Sequence, residues 1–187
     1  MQALRLVMRE TPFLQHSRKL LSPLADDYGI VELEISREGI RALRCGRRKL
    51  QLVKLTGSAF KDFARDAYTT LPEVSDRPLF IFLDVFRRYA RIEDAISDGS
   101  GRIASEAVRD ALIQTFDSFV SMSIQHLVYE MGTRLLERFP GIEQVSFEAQ
   151  NRLWDTSKVS PADPMTKVFS DPKPAHGMIG LTMNRNA

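Results

Sequence analysis

The sequence predicts an α+β protein built on an antiparallel sheet. Two observations support this class: stretches that alternate apolar and polar residues follow one another as hairpins, and two long helical patterns lie side by side in the middle of the chain. Strands that alternate with single helices would instead favour parallel crossovers. Hydrophobic residues make up 43% of the 187 residues and charged residues 27%, which is typical of a folded domain.

The first strands are predicted from alternation. Residues 1–24 are weakly amphipathic and fit either a strand or a helix fragment. Residues 30–40 place Val31, Leu33 and Ile35 on one face, as in a half-buried strand, and residues 49–56 alternate in the same way. The linker between these two strands contains Gly46, and it is compatible with a hairpin connection.

A short helix and a central strand are predicted next. Ser58 is a plausible N-cap, and apolar residues then recur at helical spacing for about two turns, until Pro72. Residues 78–89 are apolar and aromatic, which is typical of a central strand. The arginines near the end of that strand are interpreted as a solvated edge; they are Arg87, Arg88 and Arg91.

The second half of the chain carries the long helices and the last strands. The patterns at residues 103–119 and 122–138 have amphipathic helical spacing, either as two helices or as one bent helix. Strands are predicted at 142–154, 166–169 and 178–183. We predict that residues 1–28 are a segment of uncertain structure and that residues 29–187 form the domain.

Composition excludes several classes of partner. The net charge is +2, and the basic cluster at residues 44–49 is better interpreted as a solvated strand end or turn than as a nucleic-acid contact. No apolar run approaches the roughly 20 residues of a membrane span. Cys45 is the only cysteine, so no intrachain disulfide is possible, and we predict a reducing, cytoplasmic location.

The sequence lacks the common motifs of catalysis by metals, nucleotides or serine nucleophiles. It has no glycine-rich phosphate loop, no CxxC, no HExxH and no GxSxG. His16, His126 and His176 are isolated, and no pair has the spacing of metal ligands. Neither a metal nor a bound cofactor is therefore predicted.

Three remaining side chains suit a flat, oxygen-bearing anion. Arg77 offers a planar fork of donors, Gln125 offers one acceptor and two donors, and Phe60 offers a face for stacking. Each also has an ordinary interpretation: a loop salt bridge for Arg77, a solvated polar residue for Gln125 and a core residue for Phe60. Composition and spacing leave these alternatives open.

Four motifs, in the same order, resemble those of the urate oxidase (uricase) family, and they span roughly residues 30–185. They are GSAFKDFARDAYTTLPEVSDR, SMSIQHLVYEMG, IEQVSFEAQNRLWD and PAHGMIGLTMNR. The third motif is similar to the bacterial form of the family. The resemblance implies a tunnelling (T-fold) domain, which is an antiparallel four-stranded sheet backed by two helices and assembled side by side into a barrel.

The resemblance also implies a set of site residues. Phe60 matches the phenylalanine that stacks on urate, and Arg77 matches the arginine that pairs with its oxygens. Ile124 matches the residue whose backbone N–H contacts the purine, and Gln125 matches the glutamine that binds the pyrimidine edge. Asn151 matches the asparagine near the oxygen or water position, which gives it both a catalytic and a substrate-binding role.

The implied reaction is the oxidation of urate by O2 and water to 5-hydroxyisourate and hydrogen peroxide, with O2 as co-substrate and no cofactor. The chain resembles only the second half of the family protein, and residues 1–24 contain no match for the lysine–threonine pair of the first half. Leu153 stands where the family often has a histidine, and leucine cannot relay a proton.

The expected partners are urate, O2, and either further copies of this chain or a chain that carries the first half. The principal alternative is a catalytically silent T-fold scaffold subunit that assembles with such a first-half chain. A tunnelling-fold enzyme acting on another purine or on a pterin is the third interpretation.

Overall fold

A six-stranded sheet with helices packed against it is the main feature of the computed structural model, which describes residues 3–96, 101–152, 154–164, 166–174 and 177–185. The strands are β1 (Leu4–Glu10), β2 (Phe13–Gln15), β3 (Leu21–Pro23), β4 (Tyr28–Ser36), β5 (Gly39–Lys54), β6 (Leu79–Tyr89), β7 (Ile142–Arg152), β8 (Thr156–Val159), β9 (Lys167–Phe169) and β10 (Ile179–Asn184). The helices are α1 (Ile92–Ile96), α2 (Ser105–Ser118) and α3 (Ile124–Arg138).

The main sheet is antiparallel throughout, in the order β1-β4-β5-β6-β7-β10. The predicted α+β class with an antiparallel sheet is therefore confirmed. The sheet has six strands rather than four, because β1 pairs along β4 and both extend the sheet beyond β5. The four strands β5, β6, β7 and β10, together with α2 and α3, are called the sheet body below.

The predicted hairpin is confirmed by the antiparallel pairing of β4 with β5, but the predicted position of its linker, at Gly46, is wrong. The chain turns at Arg37 and Glu38, and β5 then continues without a break from Gly39, whose φ of 122° suits glycine. Gly46 lies inside β5, where an added Cβ would come within 2.5 Å of the Phe86 ring. A close approach of β6, and not a turn, therefore explains this glycine.

Two arginines that were predicted to be solvated are buried instead. Arg47 lies inside β5 with no exposed surface, and its guanidinium pairs with Asp27, which lies just before β4. Arg87 in β6 is 6% exposed and donates a hydrogen bond to the Ile103 carbonyl at 2.7 Å. Local charge pattern misled the prediction because the partners of both residues are distant in sequence.

The two long helices are separate, and both lie within the predicted ranges. Phe119 is extended, with φ −145° and ψ 163°, which ends α2. Ser123 begins α3 as its N-cap, because its hydroxyl accepts a hydrogen bond from the His126 N–H at 3.1 Å. Leu127 and Phe147 are among the buried residues by which α3 packs against the sheet to form the main hydrophobic core.

The predicted short helix after Ser58 is absent. Asp62 has φ 58°, which interrupts a right-handed helix, and the backbone of Phe60 is paired with Val74 in an antiparallel bridge. The Ala59 N–H donates to the Ser121 carbonyl at 2.7 Å. These longer-range bonds use the groups that a local helix would need, so the segment is an irregular loop.

Candidate functional site

The irregular segment between β5 and β6, residues 55–78, is called the site loop. Ser58 and Ala59 are its buried residues, and Ser58 forms a parallel bridge with Ser121, just ahead of α3. The Arg77 N–H donates to the Ser58 carbonyl at 2.8 Å, which brings the end of the loop back to its beginning. The loop is therefore closed on itself and attached to the chain that leads into α3.

Phe60 and Arg77 are in contact within this loop. The guanidinium carbon of Arg77 lies over the Phe60 ring, 5.0 Å from its centroid, in a cation–π arrangement. The Phe60 ring also stacks on Phe63, with 4.5 Å between the ring centroids. The stacking surface and the cationic fork are therefore neighbours, although they are 17 positions apart in sequence.

Arg77 has unused hydrogen-bonding capacity. Its side chain is half-buried, and its Nε–H is buried without an acceptor among the residues that the structure describes. Burial lowers the pKa of the Arg77 guanidinium, although arginine stays charged at neutral pH. A buried N–H without an acceptor is unfavourable, so an acceptor that reached the Nε–H of Arg77 would remove this penalty.

Ile124 and Gln125 are the first two residues of α3. The Ile124 side chain is 6% exposed and belongs to the main core, which fixes the start of the helix on the sheet. Its backbone N–H is one of the first-turn amides that no carbonyl within the helix can satisfy. The Gln125 side chain is exposed and free to contact a ligand.

Asn151 is the penultimate residue of β7 and is half-buried. It pairs across the sheet with Ile81, which is part of the main core. Because side chains alternate along a strand, Asn151 shares its face with Phe147 and Ala149, and that face packs against the helices. Its carboxamide therefore lies on the helix side of the sheet, near the end of β7.

The topology brings all five predicted residues to one end of the sheet body. The site loop, which carries Phe60 and Arg77, joins the end of β5 to the beginning of β6. The beginning of β6 pairs with the end of β7, where Asn151 lies. The beginning of α3, with Ile124 and Gln125, is attached to the site loop through the bridge at Ser58. Among these five residues, Phe60 and Arg77 are in direct contact.

Lys54, which sequence analysis did not single out, also supports this end of the sheet body. Its ammonium group donates to three backbone carbonyls at and just beyond the end of α2: Phe116 at 2.8 Å, Asp117 at 3.3 Å and Phe119 at 2.7 Å. Cations at a helix C-terminus satisfy carbonyls that the helix leaves free. Lys54 thereby connects the end of β5 to the segment that leads into α3; the spacing of residues gave no signal of this contact.

Some predictions concern residues for which no structure is described. Leu153 and His176 both lie outside the described ranges. Within those ranges, no group of three or more metal-ligating side chains is positioned to hold an ion. Among the helices of the same residues, none combines the length and the apolar character needed to cross a membrane.

A model of the uricase family matches residues 43–180. The chain belongs to the uricase family. It is 38% identical over 157 residues to a uric acid degradation bifunctional protein of Bacillus sp. TB-90, a match that covers 83% of this chain and 31% of that protein. It is 43% identical over 137 residues to a uricase of Haloferax volcanii, covering 73% of this chain and 44% of that protein.

Solved structures of urate oxidases have the same fold. The crystal structure of the Bacillus sp. TB-90 urate oxidase gives a TM-score of 0.86 at 32% identity, covering 98% of this chain and 66% of that one. A uricase from Bacillus fastidious gives 0.85 at 31% identity, covering 99% and 62%. The predicted T-fold is thereby confirmed. The chain spans only part of each of these relatives, so their activity is not automatically its own.

Proposed function

We propose that this chain supplies one side of a urate-binding site and takes part in the oxidation of urate by O2. The observation that carries this proposal is the half-buried Arg77 guanidinium, held against the Phe60 ring with an N–H that lacks a described acceptor. An aromatic face and a cationic fork together suit a flat anion with oxygens at its edge, such as urate.

Urate takes the place of the guanidinium over the Phe60 ring in this proposal. The Arg77 side chain then moves to the edge of the purine, where two of its N–H groups pair with urate oxygens. The exchange is favourable because the cation–π contact is replaced by charge-assisted hydrogen bonds. Gln125 binds the pyrimidine edge, which presents both C=O and N–H groups to its carboxamide.

The beginning of α3 contributes through its backbone. The Ile124 N–H is free of intrahelical bonds and points away from the helix, as first-turn amides do. The positive end of the helix dipole also favours a bound anion. The burial of the Ile124 side chain holds this amide in place, so we assign Ile124 a binding role through its main chain and not through its side chain.

The reaction balances without a cofactor: urate, O2 and H2O give 5-hydroxyisourate and H2O2. Asn151 is assigned to the oxygen or water position because it matches the family's asparagine there, and its pairing with Ile81 puts it at the same end of the sheet body as the site loop. Holding urate and O2 in a fixed orientation can supply much of the rate enhancement. Proton transfer needs a further group, which we assign to a partner.

The partner is expected to carry the first half of the family fold, with its lysine–threonine pair, or to be a further copy of this chain. The edge strand β1 supports an assembly of this kind. It exposes a row of unpaired backbone groups and large apolar side chains, which are Leu4, Leu6, Val7 and Met8. A monomeric mass in light scattering at working concentration would contradict a homo-oligomer.

The cytoplasmic location remains a prediction.

Loss of urate absorbance together with formation of H2O2 tests the activity directly. We expect little turnover by the chain alone and recovery of turnover when a polypeptide corresponding to the first half of a urate oxidase is added. The silent-scaffold alternative is favoured by Leu153, which stands where the family often has a histidine and which cannot relay a proton. It predicts assembly with that polypeptide but no turnover by the mixture, and such a result would refute the enzymatic proposal.

A further inference from the structure

Asp76, the residue just before Arg77, joins the two ends of the site loop through its side chain. Its carboxylate accepts hydrogen bonds from the Thr56 hydroxyl at 2.6 Å, the Gly57 N–H at 2.7 Å and the Ser58 N–H at 3.3 Å. These bonds, the one from Thr56 above all, lower the pKa of Asp76 and keep it ionised. The three donors are 18 to 20 positions earlier in the chain.

The carboxylate holds the loop at the point where it enters and leaves the sheet body. Gly57 has φ 79°, a left-handed conformation that the bond to Asp76 helps to maintain. Two positions away, the Ala59 N–H bonds to Ser121, and the next residue is Phe60. A displacement of Gly57 would therefore shift the Phe60 ring and disturb the bond between Ala59 and Ser121 that attaches the loop to the chain leading into α3.

We propose that Asp76 is a positioning residue for the urate site: it sets the distance and orientation between the Phe60 ring and the Arg77 guanidinium. This inference rests on the proposed function, because it concerns the same pair of side chains. Asp76 itself is exposed and is not assigned a contact with urate. It acts through the backbone that carries the two binding groups, and small displacements of binding groups have large effects on a ligand held in one plane.

The chain offers a matched control in Asp66, another exposed carboxylate of the site loop. Asp66 accepts hydrogen bonds from the Tyr68 N–H and the Thr69 hydroxyl, both at 2.9 Å. These bonds close a local turn and do not join the ends of the loop. Asp66→Ala therefore removes the same charge and a similar number of hydrogen bonds from the same loop, without releasing the junction of Thr56 and Gly57.

The experiment is a calorimetric titration of the full chain with urate under nitrogen, so that no turnover occurs. We expect Asp76→Ala to weaken urate binding by about tenfold, which corresponds to the loss of one charge-assisted hydrogen bond between a displaced Arg77 and urate. Asp66→Ala should remain within about twofold of the parent chain. Asp76→Asn should recover most of the affinity, because its carbonyl oxygen still accepts from both N–H groups and its amide can donate to Thr56.

Amide hydrogen exchange gives a second measurement that needs no ligand. Asp76→Ala should accelerate exchange at Ala59, Phe60 and Arg77, whose N–H groups form the bonds that close the loop. Asp66→Ala should leave these three amides unchanged.

The two proposals fail separately. Parent-like urate affinity and parent-like exchange in Asp76→Ala would overturn the role of Asp76, while leaving the site itself intact if Arg77→Ala still loses urate. Equal loss of affinity in Asp76→Ala and Asp76→Asn would also overturn it, since hydrogen bonding would then not be the cause. Urate binding that is indifferent to Arg77→Ala would refute the proposed function instead.

Discussion

The sheet body and the site loop are built in different ways, although they adjoin. In the sheet body, α3 buries residues such as Leu127 and Met131 completely against the strands. The site loop buries only Ser58 and Ala59, and it is held by two isolated β-bridges, a few backbone bonds and the Asp76 carboxylate. Stability should therefore reside mainly in the buried core of the sheet body, and ligand recognition in the site loop and the exposed polar residues beside it, such as Gln125, so substitutions in the two groups should have separable effects.

The largest effect on stability is expected from Leu127→Ala in α3. Leu127 has no exposed surface and packs in the main core, so its truncation should lower the free energy of unfolding by about 3–5 kcal/mol. Tyr129→Ala, two positions along the same helix and 54% exposed, is the control and should change stability by less than about 0.5 kcal/mol. Urea denaturation measures both, and similar values for the two variants would contradict this description of the sheet body.

Removing the polar groups of the site should weaken urate binding and change the free energy of unfolding little. Arg77→Ala should weaken anaerobic urate binding by about 30-fold and Gln125→Ala by about tenfold, as expected for hydrogen bonds to a charged ligand. The free energy of unfolding should change by less than about 1 kcal/mol in either variant. Arg65→Ala is the matched control, because Arg65 is an exposed arginine of the same loop that lies over Phe63. Unchanged affinity in both site variants would refute the assignment.

Lys54→Met tests the boundary between the two regions. The substitution keeps the apolar stem of the side chain but removes the three bonds to the end of α2, so a loss of about 1–2 kcal/mol is expected. Amide exchange should accelerate at the end of α2 and at the beginning of α3, but not in β7. Lys158→Met, an exposed lysine in β8, should be neutral. A uniform acceleration over the whole sheet body would contradict the local role.

The smallest effect is the response of the site loop to acid. Hydrogen bonds lower the pKa of Asp76 and of Asp66, chiefly those from the Thr56 hydroxyl and the Tyr68 N–H respectively. A carboxyl whose pKa is lower in the folded state stabilises the fold above its unfolded pKa of about 3.9 and loses this effect as the pH falls through the folded pKa. The loop should thus loosen below about pH 4, as carboxyl NMR titration can measure. An Asp76 pKa at or above the ordinary value would contradict the observed bonds.

The sheet body could largely be predicted from the sequence, because its signals are local. The apolar run of β6 and the helical spacing in α2 and α3 depend on neighbours within a few residues, and these elements are found where they were expected. The predicted four-stranded sheet describes the T-fold unit but lacks the pairing of β1 with β4. The weak pattern in residues 1–24 did not specify this pairing.

The site loop could not be predicted in the same way, because distant partners determine its conformation. Helical spacing from Phe60 to Ala64 was overridden by the bridge to Val74 and the bond to Ser121. The same cause hid the burial of Arg47, whose partner Asp27 is 20 residues away. The five site residues were identified by family resemblance, and the role of Asp76 became visible only from its contacts.

The most direct test is a crystal structure of this chain with urate bound under nitrogen, because turnover is blocked when O2 is absent. We expect the purine to lie flat on the Phe60 ring, with its oxygens paired to the Arg77 guanidinium and its pyrimidine edge against the Gln125 carboxamide. Urate bound elsewhere on the chain, or bound here with Gln125 directed away from it, would contradict the account.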